Sequence, residues 1–243
     1  MDTALLALVA ALWGAAAGTL LPRAAYRFSV PEGQEWRERC PAGHPIAGWI
    51  GRARCRECEG AGTYGPGTAV LATTTALVCA ALAAATDTRP ELGVWLLLAP
   101  VGVLLTAVDF RVRRLPNPLT LTLALAIPAL LGLVALVPEH AGDWPTALWA
   151  TLALGAGYYV LYLVNPGGMG FGDVKLALGA GAALGWYGWS TVMLGSFAGF
   201  LFGALYGWGL VLLRRAGRKT AIPFGPFLLG GAFVGLLIGA YAA

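Results

Sequence analysis

The chain has 243 residues, of which 58% are hydrophobic and 12% charged, about half the ~25% charge of an ordinary soluble domain. This is a membrane composition and argues against a water-soluble domain. The net charge of +4 does not point to nucleic acid either, because the basic residues flank apolar runs and have no stacking aromatic array among them.

Apolar runs recur along the whole sequence, at 3–21, 68–86, 92–109, 118–137, 145–164, 174–187, 190–213 and 224–242. Most approach the ~20 helical residues that cross a ~30 Å hydrocarbon core; the sixth is short and rich in Gly and Ala. Apolar residues stand in continuous blocks instead of alternating as in a barrel strand, so the spans are helices that satisfy their own backbone in lipid. The expected fold is an all-α integral membrane protein of about eight transmembrane helices with a cytoplasmic loop after helix 1. Its parts are a first helix over 1–21, a Cys-containing loop over 22–67 and a multi-helix core over 68–243. The first run opens Met1-Asp2-Thr3 without Lys or Arg and reads as a retained anchor, not a cleaved signal. The 35 glycines suit close helix packing in lipid.

The basic residues set an orientation. With the amino terminus outside, the loops 22–67, 110–117, 165–175 and 214–223 face the cytoplasm. They hold Arg23, Arg27, Arg37, Arg39, Arg52, Arg54 and Arg56, then Arg111, Arg113 and Arg114, then Lys175, then Arg214, Arg215, Arg218 and Lys219. Only Arg89 of the sixteen basic residues falls outside, as the positive-inside rule requires.

The first loop carries Cys40-Pro41-Ala42-Gly43-His44 and Cys55-Arg56-Glu57-Cys58. A loop facing a reducing compartment disfavours disulfides. A Cys-x-x-Cys pair with an upstream Cys and His can instead form a tetrahedral zinc site from Cys40, His44, Cys55 and Cys58, the alternative being a loop without metal.

Two acids stand apart from the solvated ones. Asp109 ends the run Leu104-Leu105-Thr106-Ala107-Val108 and opens Asp109-Phe110-Arg111-Val112-Arg113-Arg114-Leu115-Pro116-Asn117. Asp173 sits in Met169-Gly170-Phe171-Gly172-Asp173-Val174-Lys175-Leu176, at the same expected membrane face. Ionisable groups at membrane depth are costly and mark function or pairing. Two carboxylates sharing a proton provide both the base that activates a water and the acid that protonates the product. Gly170 and Gly172 allow an irregular or left-handed backbone and close approach of a substrate strand, and the helix dipole after Gly172 favours an ionised Asp173. Either Asp alone is equally a residue type that caps helices.

These stretches, together with Ile222-Pro223-Phe224-Gly225-Pro226-Phe227, resemble the type IV prepilin peptidases, membrane aspartyl proteases with a Gly-x-Gly-Asp motif. The resemblance implies that Asp109 and Asp173 are the catalytic pair, with Gly170, Gly172, Lys175, Pro116, Asn117 and Pro223 as supporting motif positions. It implies prepilin or pilin-like substrates, cut at the cytoplasmic face of the bacterial cytoplasmic membrane. Arg111, Arg113 and Arg114 would hold their loop against anionic headgroups of the lipid bilayer. In bifunctional members the cysteine loop is linked to zinc and to methylation of the new amino terminus by S-adenosylmethionine. The chain departs from the family's Cys-Pro-x-Cys-Gly-His by one missing cysteine, which weakens the expectation of methylation and leaves His44 as the fourth ligand.

Three other readings bear on the same residues. Presenilin-type proteases carry Pro-Ala-Leu after Gly-x-Gly-Asp, whereas Pro128-Ala129-Leu130 precedes it here and reads as a helix kink. A proton- or ion-coupled transporter would place its acids near the bilayer midplane, and a membrane scaffold for an assembly machine would not need them.

Overall fold

A computed structural model describes residues 2–58, 62–213 and 222–243; Arg214, Arg215, Arg218 and Lys219 lie outside the described residues. Eight helices follow in order: α1 Thr3–Phe28, α2 Thr68–Thr86, α3 Glu91–Val112, α4 Asn117–Val134, α5 Trp144–Val164, α6 Phe171–Gly185, α7 Trp189–Leu212 and α8 Gly225–Ala242. Seven are long and apolar enough to span a membrane. The exception is α6, whose 15 residues reach only ~22 Å. The chain is therefore an all-helical integral membrane protein, with seven helices of spanning length and one short one among the described residues.

The described chain forms two compact units. The first is Met1–Thr88 with Trp95–Arg114, and the second is Arg89–Val94 with Leu115–Ala243.

In the first unit α1 packs closely on α2. A Cβ placed on Gly14 would come within 2.5 Å of the Thr75 carbonyl oxygen, so this contact requires a residue without a side chain. Trp13 Nε1 ties the same helix to α3 by donating to Leu96 O at 2.9 Å.

α1 continues to Phe28 instead of stopping at the expected residue 21, despite Pro22 within it. Proline removes a helical N–H and its ring pushes into the preceding turn, which frees backbone groups on either side. The loop supplies their partners. Gly51 N–H donates to Leu20 O at 2.7 Å, and Arg23 N–H donates to Gly51 O at 3.0 Å. Gly51 holds φ +128 to do this, with Arg23 Cζ 3.2 Å from the position of a Cβ. Arg23 and Arg27, expected in an aqueous loop, are thus helical, and their guanidinium groups donate to Ala47 O at 2.7 Å and Gly48 O at 2.8 Å. Arg27 is buried, lies 3.9 Å from the centre of the Trp49 ring and pairs with Glu38 at 3.9 Å. The unpaired cost of burying that cation is offset by carbonyl, ring and carboxylate together.

In the second unit α6 lies against α4, α5, α7 and α8 and is buried along most of its length. Its short span follows from this position: surrounded by helices, it needs small residues more than lipid-facing length. Gly181 rests against the Ala150 carbonyl, 2.5 Å from where its Cβ would be. Pro128 lies inside α4, and its carbonyl accepts from Trp144 Nε1 at 2.9 Å.

Candidate active site and cysteine cluster

In the first unit the loop after α1 folds into two small turns closed by isolated antiparallel bridges, Arg39 to Pro45 and Arg54 to Thr63. In the first turn Cys40 N–H donates to His44 O at 2.9 Å, and Gly43 N–H to Cys40 O at 2.9 Å, with Gly43 at φ +89. In the second, Cys55 N–H donates to Gly62 O at 2.9 Å. The two turns present Cys40, His44, Cys55 and Cys58 to one point, with one ligand atom from each lying within 4.8 Å of the others. His44 Nδ1 is 3.7, 3.6 and 3.4 Å from the sulfurs of Cys40, Cys55 and Cys58, and the Cys40 and Cys58 sulfurs are 3.8 Å apart. A tetrahedral ion bonded to sulfur at ~2.3 Å and nitrogen at ~2.0 Å needs S···S near ~3.8 Å and S···N near ~3.6 Å. These four residues can therefore hold a metal ion.

The electrostatics agree. Burial raises the Cys40 thiol, but hydrogen bonds from the His44 and Ala42 backbone and contacts with Cys55 and Cys58 outweigh it, bringing it down to about 7. Cys58 is pushed up to about 12, first by its hydrogen bond with Cys55, then by burial and the neighbouring Cys40. A cation bound between them would favour the thiolate of Cys58, which its neighbours hold protonated. All four cysteines of the chain are free thiols, and Cys79 is buried within α2.

Asp109, in the same unit, is only 4% exposed. α3 does not end at it but runs on to Val112. The helix closes at Arg113, which holds φ +51 and donates its N–H to Asp109 O at 2.8 Å. Arg111 and Arg113 are exposed. Arg114 instead turns into the protein, donating from Nη1 to Pro31 O at 2.7 Å and Val30 O at 3.3 Å with its guanidinium 4.6 Å from the Trp36 ring centre. For Arg114 the structure adds a use inside the protein, since Nη1 is engaged by two backbone carbonyls.

In the second unit Asp173 stands in the first turn of α6, not before it, since the helix begins at Phe171. It is 6% exposed. Its N–H donates to Gly170 O at 3.0 Å, and its Oδ2 accepts from Gly170 N–H at 3.0 Å. The reciprocal bonds satisfy two of the groups that a helix start leaves open. Gly170 has φ −79 and ψ 149, and neither it nor Gly172 is left-handed, so of the irregular or left-handed backbone that glycine allows the left-handed form is not used. Gly172 has a packing reason instead, since a Cβ there would lie 2.9 Å from Leu115 Cβ.

The remaining motif positions of this unit partly converge. Lys175 Nζ donates to Asn117 Oδ1 at 2.8 Å and lies 4.8 Å from the Phe171 ring centre. Asn117 is the first residue of α4, and Pro116 before it is buried. Pro223 lies just ahead of α8, half-buried. One buried acid escaped the sequence reading. Glu91, the first residue of α3, is 0% exposed and accepts from Tyr187 Oη at 3.4 Å. Its place at the edge of an apolar run, without a glycine or proline motif, looks like an ordinary helix start.

A profile of the type IV leader peptidase family matches residues 96–208, a stretch that includes Asp109, Asn117, Gly170, Gly172, Asp173 and Lys175. A prepilin leader peptidase/N-methyltransferase of Aeromonas hydrophila is 36% identical over 240 residues, covering 88% of this chain and 74% of its own. The chain belongs to the type IV leader peptidase family. A relative with the same printed name from Pseudomonas aeruginosa is 29% identical over 236 residues, with 89% of this chain and 75% of that protein covered. One from Escherichia coli is 36% identical over 140 residues, covering 54% and 57%. No solved structure matches. As a leader peptidase the chain is a protease that removes leader peptides, built into a membrane by its helices.

Proposed function

We propose that the chain is an aspartyl endopeptidase that removes the leader of prepilins or pilin-like secretion subunits at the cytoplasmic face of the bacterial cytoplasmic membrane. Asp109 and Asp173 act as its catalytic pair. The observation that carries this reading is burial: among the described residues the buried carboxylates are Glu91, Asp109 and Asp173, and the two aspartates fall within the family match while Glu91 precedes it. The ionised member of the pair takes a proton from water as the oxygen attacks the peptide carbonyl. The protonated member gives its proton to the developing oxyanion or the leaving amine, so one proton circulates and none is consumed. The cap that Asp173 provides to Gly170 is compatible with this role, because it engages Oδ2 and a carboxylate has lone pairs to spare. Family membership counts against the transporter reading.

The amino terminus lies outside in this proposal, which brings the loop after α1 to the cytoplasmic side. The metal is zinc, held by Cys40, His44, Cys55 and Cys58, and its work is structural, since four protein ligands close the coordination sphere. The printed names of the relatives favour methylation of the new amino terminus as a second activity, with S-adenosylmethionine as donor; the missing cysteine of the loop argues the other way.

The test is co-expression with a prepilin precursor. Asp109→Asn and Asp173→Asn, each alone, should slow leader removal by roughly 10²- to 10⁴-fold, read as precursor accumulating on a gel. Intact processing by either variant sinks the two-carboxylate reading.

A further inference from the structure

The turn that leaves α3 has a backbone conformation rare in this chain. Among the described residues only Asp87 and Arg113 hold a positive φ without being glycine, at 55° and 51°. A residue with a Cβ enters that region at a cost and stays there where its surroundings over-determine it. At Arg113 two neighbours do so. Its N–H is bonded to the Asp109 carbonyl at 2.8 Å, closing the last turn of α3 on the aspartate itself. The next residue, Arg114, reaches the Pro31 and Val30 carbonyls at 2.7 and 3.3 Å and covers the Trp36 ring at 4.6 Å. Trp36 packs edge-on against Phe28, the last residue of α1, with ring centres 5.0 Å apart. Contacts thus run without a break from the end of α1 through Trp36 and Arg114 to the backbone of Asp109. Arg114 is also the last residue of the first unit, and so the final hold on this turn before the chain passes on to Leu115.

An arginine serving only topology or headgroup contact would extend to solvent, as the exposed Arg111 and Arg113 do. Arg114 uses one guanidinium nitrogen on two carbonyls and its planar face on an indole, a combination that the compact ammonium of lysine reproduces only in part, since it has no face to stack. We propose that Arg114 is a positioning residue for leader cleavage: by clamping the turn after α3 to Val30, Pro31 and Trp36, it fixes the direction of the Asp109 carboxyl. This rests on the reading of Asp109 as one of the catalytic pair. Arg114 touches no substrate and acts through the backbone of the turn, so its loss should be felt in the chemical step more than in substrate binding.

The experiment measures kcat and KM across pH for the full chain in lipid nanodiscs, using a purified prepilin precursor that the unaltered chain cleaves. Arg114→Ala should lower kcat by roughly 10- to 100-fold, change KM by less than about threefold, and move the acid limb of the pH profile, because the carboxyl that titrates there has a new environment. Arg114→Lys should recover part of kcat and bring the limb back towards its original place. Trp36→Leu, which keeps the hydrogen bonds and removes the stack, should fall between the two. A profile for Arg114→Ala that superimposes on the unaltered one after a single scaling, or a loss confined to KM, overturns the proposal. If Arg114→Ala cannot be purified folded, Trp36→Leu is judged by the same criteria. Asp109→Asn separates the two levels. If it cleaves normally, the catalytic pair is wrong whatever Arg114 does. If it is inactive while Arg114→Ala and Trp36→Leu leave kcat and the acid limb unmoved, only the clamp is wrong.

Discussion

Gly170 and Gly172 are alike in the motif and different in what a methyl group would meet. At Gly170 a Cβ finds Asp173 Oδ2 at 3.5 Å, an ordinary contact, and the backbone angles suit any residue. At Gly172 it finds Leu115 Cβ at 2.9 Å, an atom next to the backbone that cannot swing aside. Gly172→Ala should therefore cost about 1–3 kcal/mol by overpacking, while Gly170→Ala should be neutral or gain a few tenths through a less flexible unfolded chain. Thermal melting of the two variants in one detergent decides it, and equal losses would contradict the packing account. The motif was legible in sequence because glycines and an aspartate before an apolar run are local. Its reason was not, because Leu115 lies far back in the chain. The same holds for Lys175, legible as a motif position and paired with Asn117 only once α4 and α6 are folded, and for Glu91, whose burial no local pattern announces.

At the scale of elements, the apolar runs correspond to the helices, since twenty residues without charge have few other solutions in lipid. Two departures have physical causes. α6 is short because helices surround it, and α1 is long because Gly51 completes the backbone around Pro22. The turns of the cysteine loop form the third element of note. The spacing of Cys55 and Cys58 pointed to a metal, yet it took the fold to bring Cys40 and His44 within bonding range of the same point. Purified protein should contain about one zinc per chain by elemental analysis, and Cys55→Ser with Cys58→Ser should lose it, since two remaining ligands cannot close a tetrahedron. Metal-free protein that is otherwise folded, or zinc retained by the double variant, would remove the zinc proposal.

For the whole molecule, orientation rests on charge. Arg89 stands alone at the end assigned to the outside, where its Nη1 donates to Ala240 O at 2.8 Å. Glu139→Cys, in the exposed turn between α4 and α5, should react with a membrane-impermeant thiol reagent added to intact cells, while Cys79, buried in α2, stays silent. Labelling only after the cells are opened would invert the topology and put the proposed cleavage site on the other side. The stitch between Gly51 and α1 also has a consequence in time. The backbone groups of Leu20 and Arg23 wait for a partner that the ribosome adds well after α1 itself, on the order of seconds later at ~5–20 residues per second. The end of the first helix is thus completed only when the loop that follows it folds back.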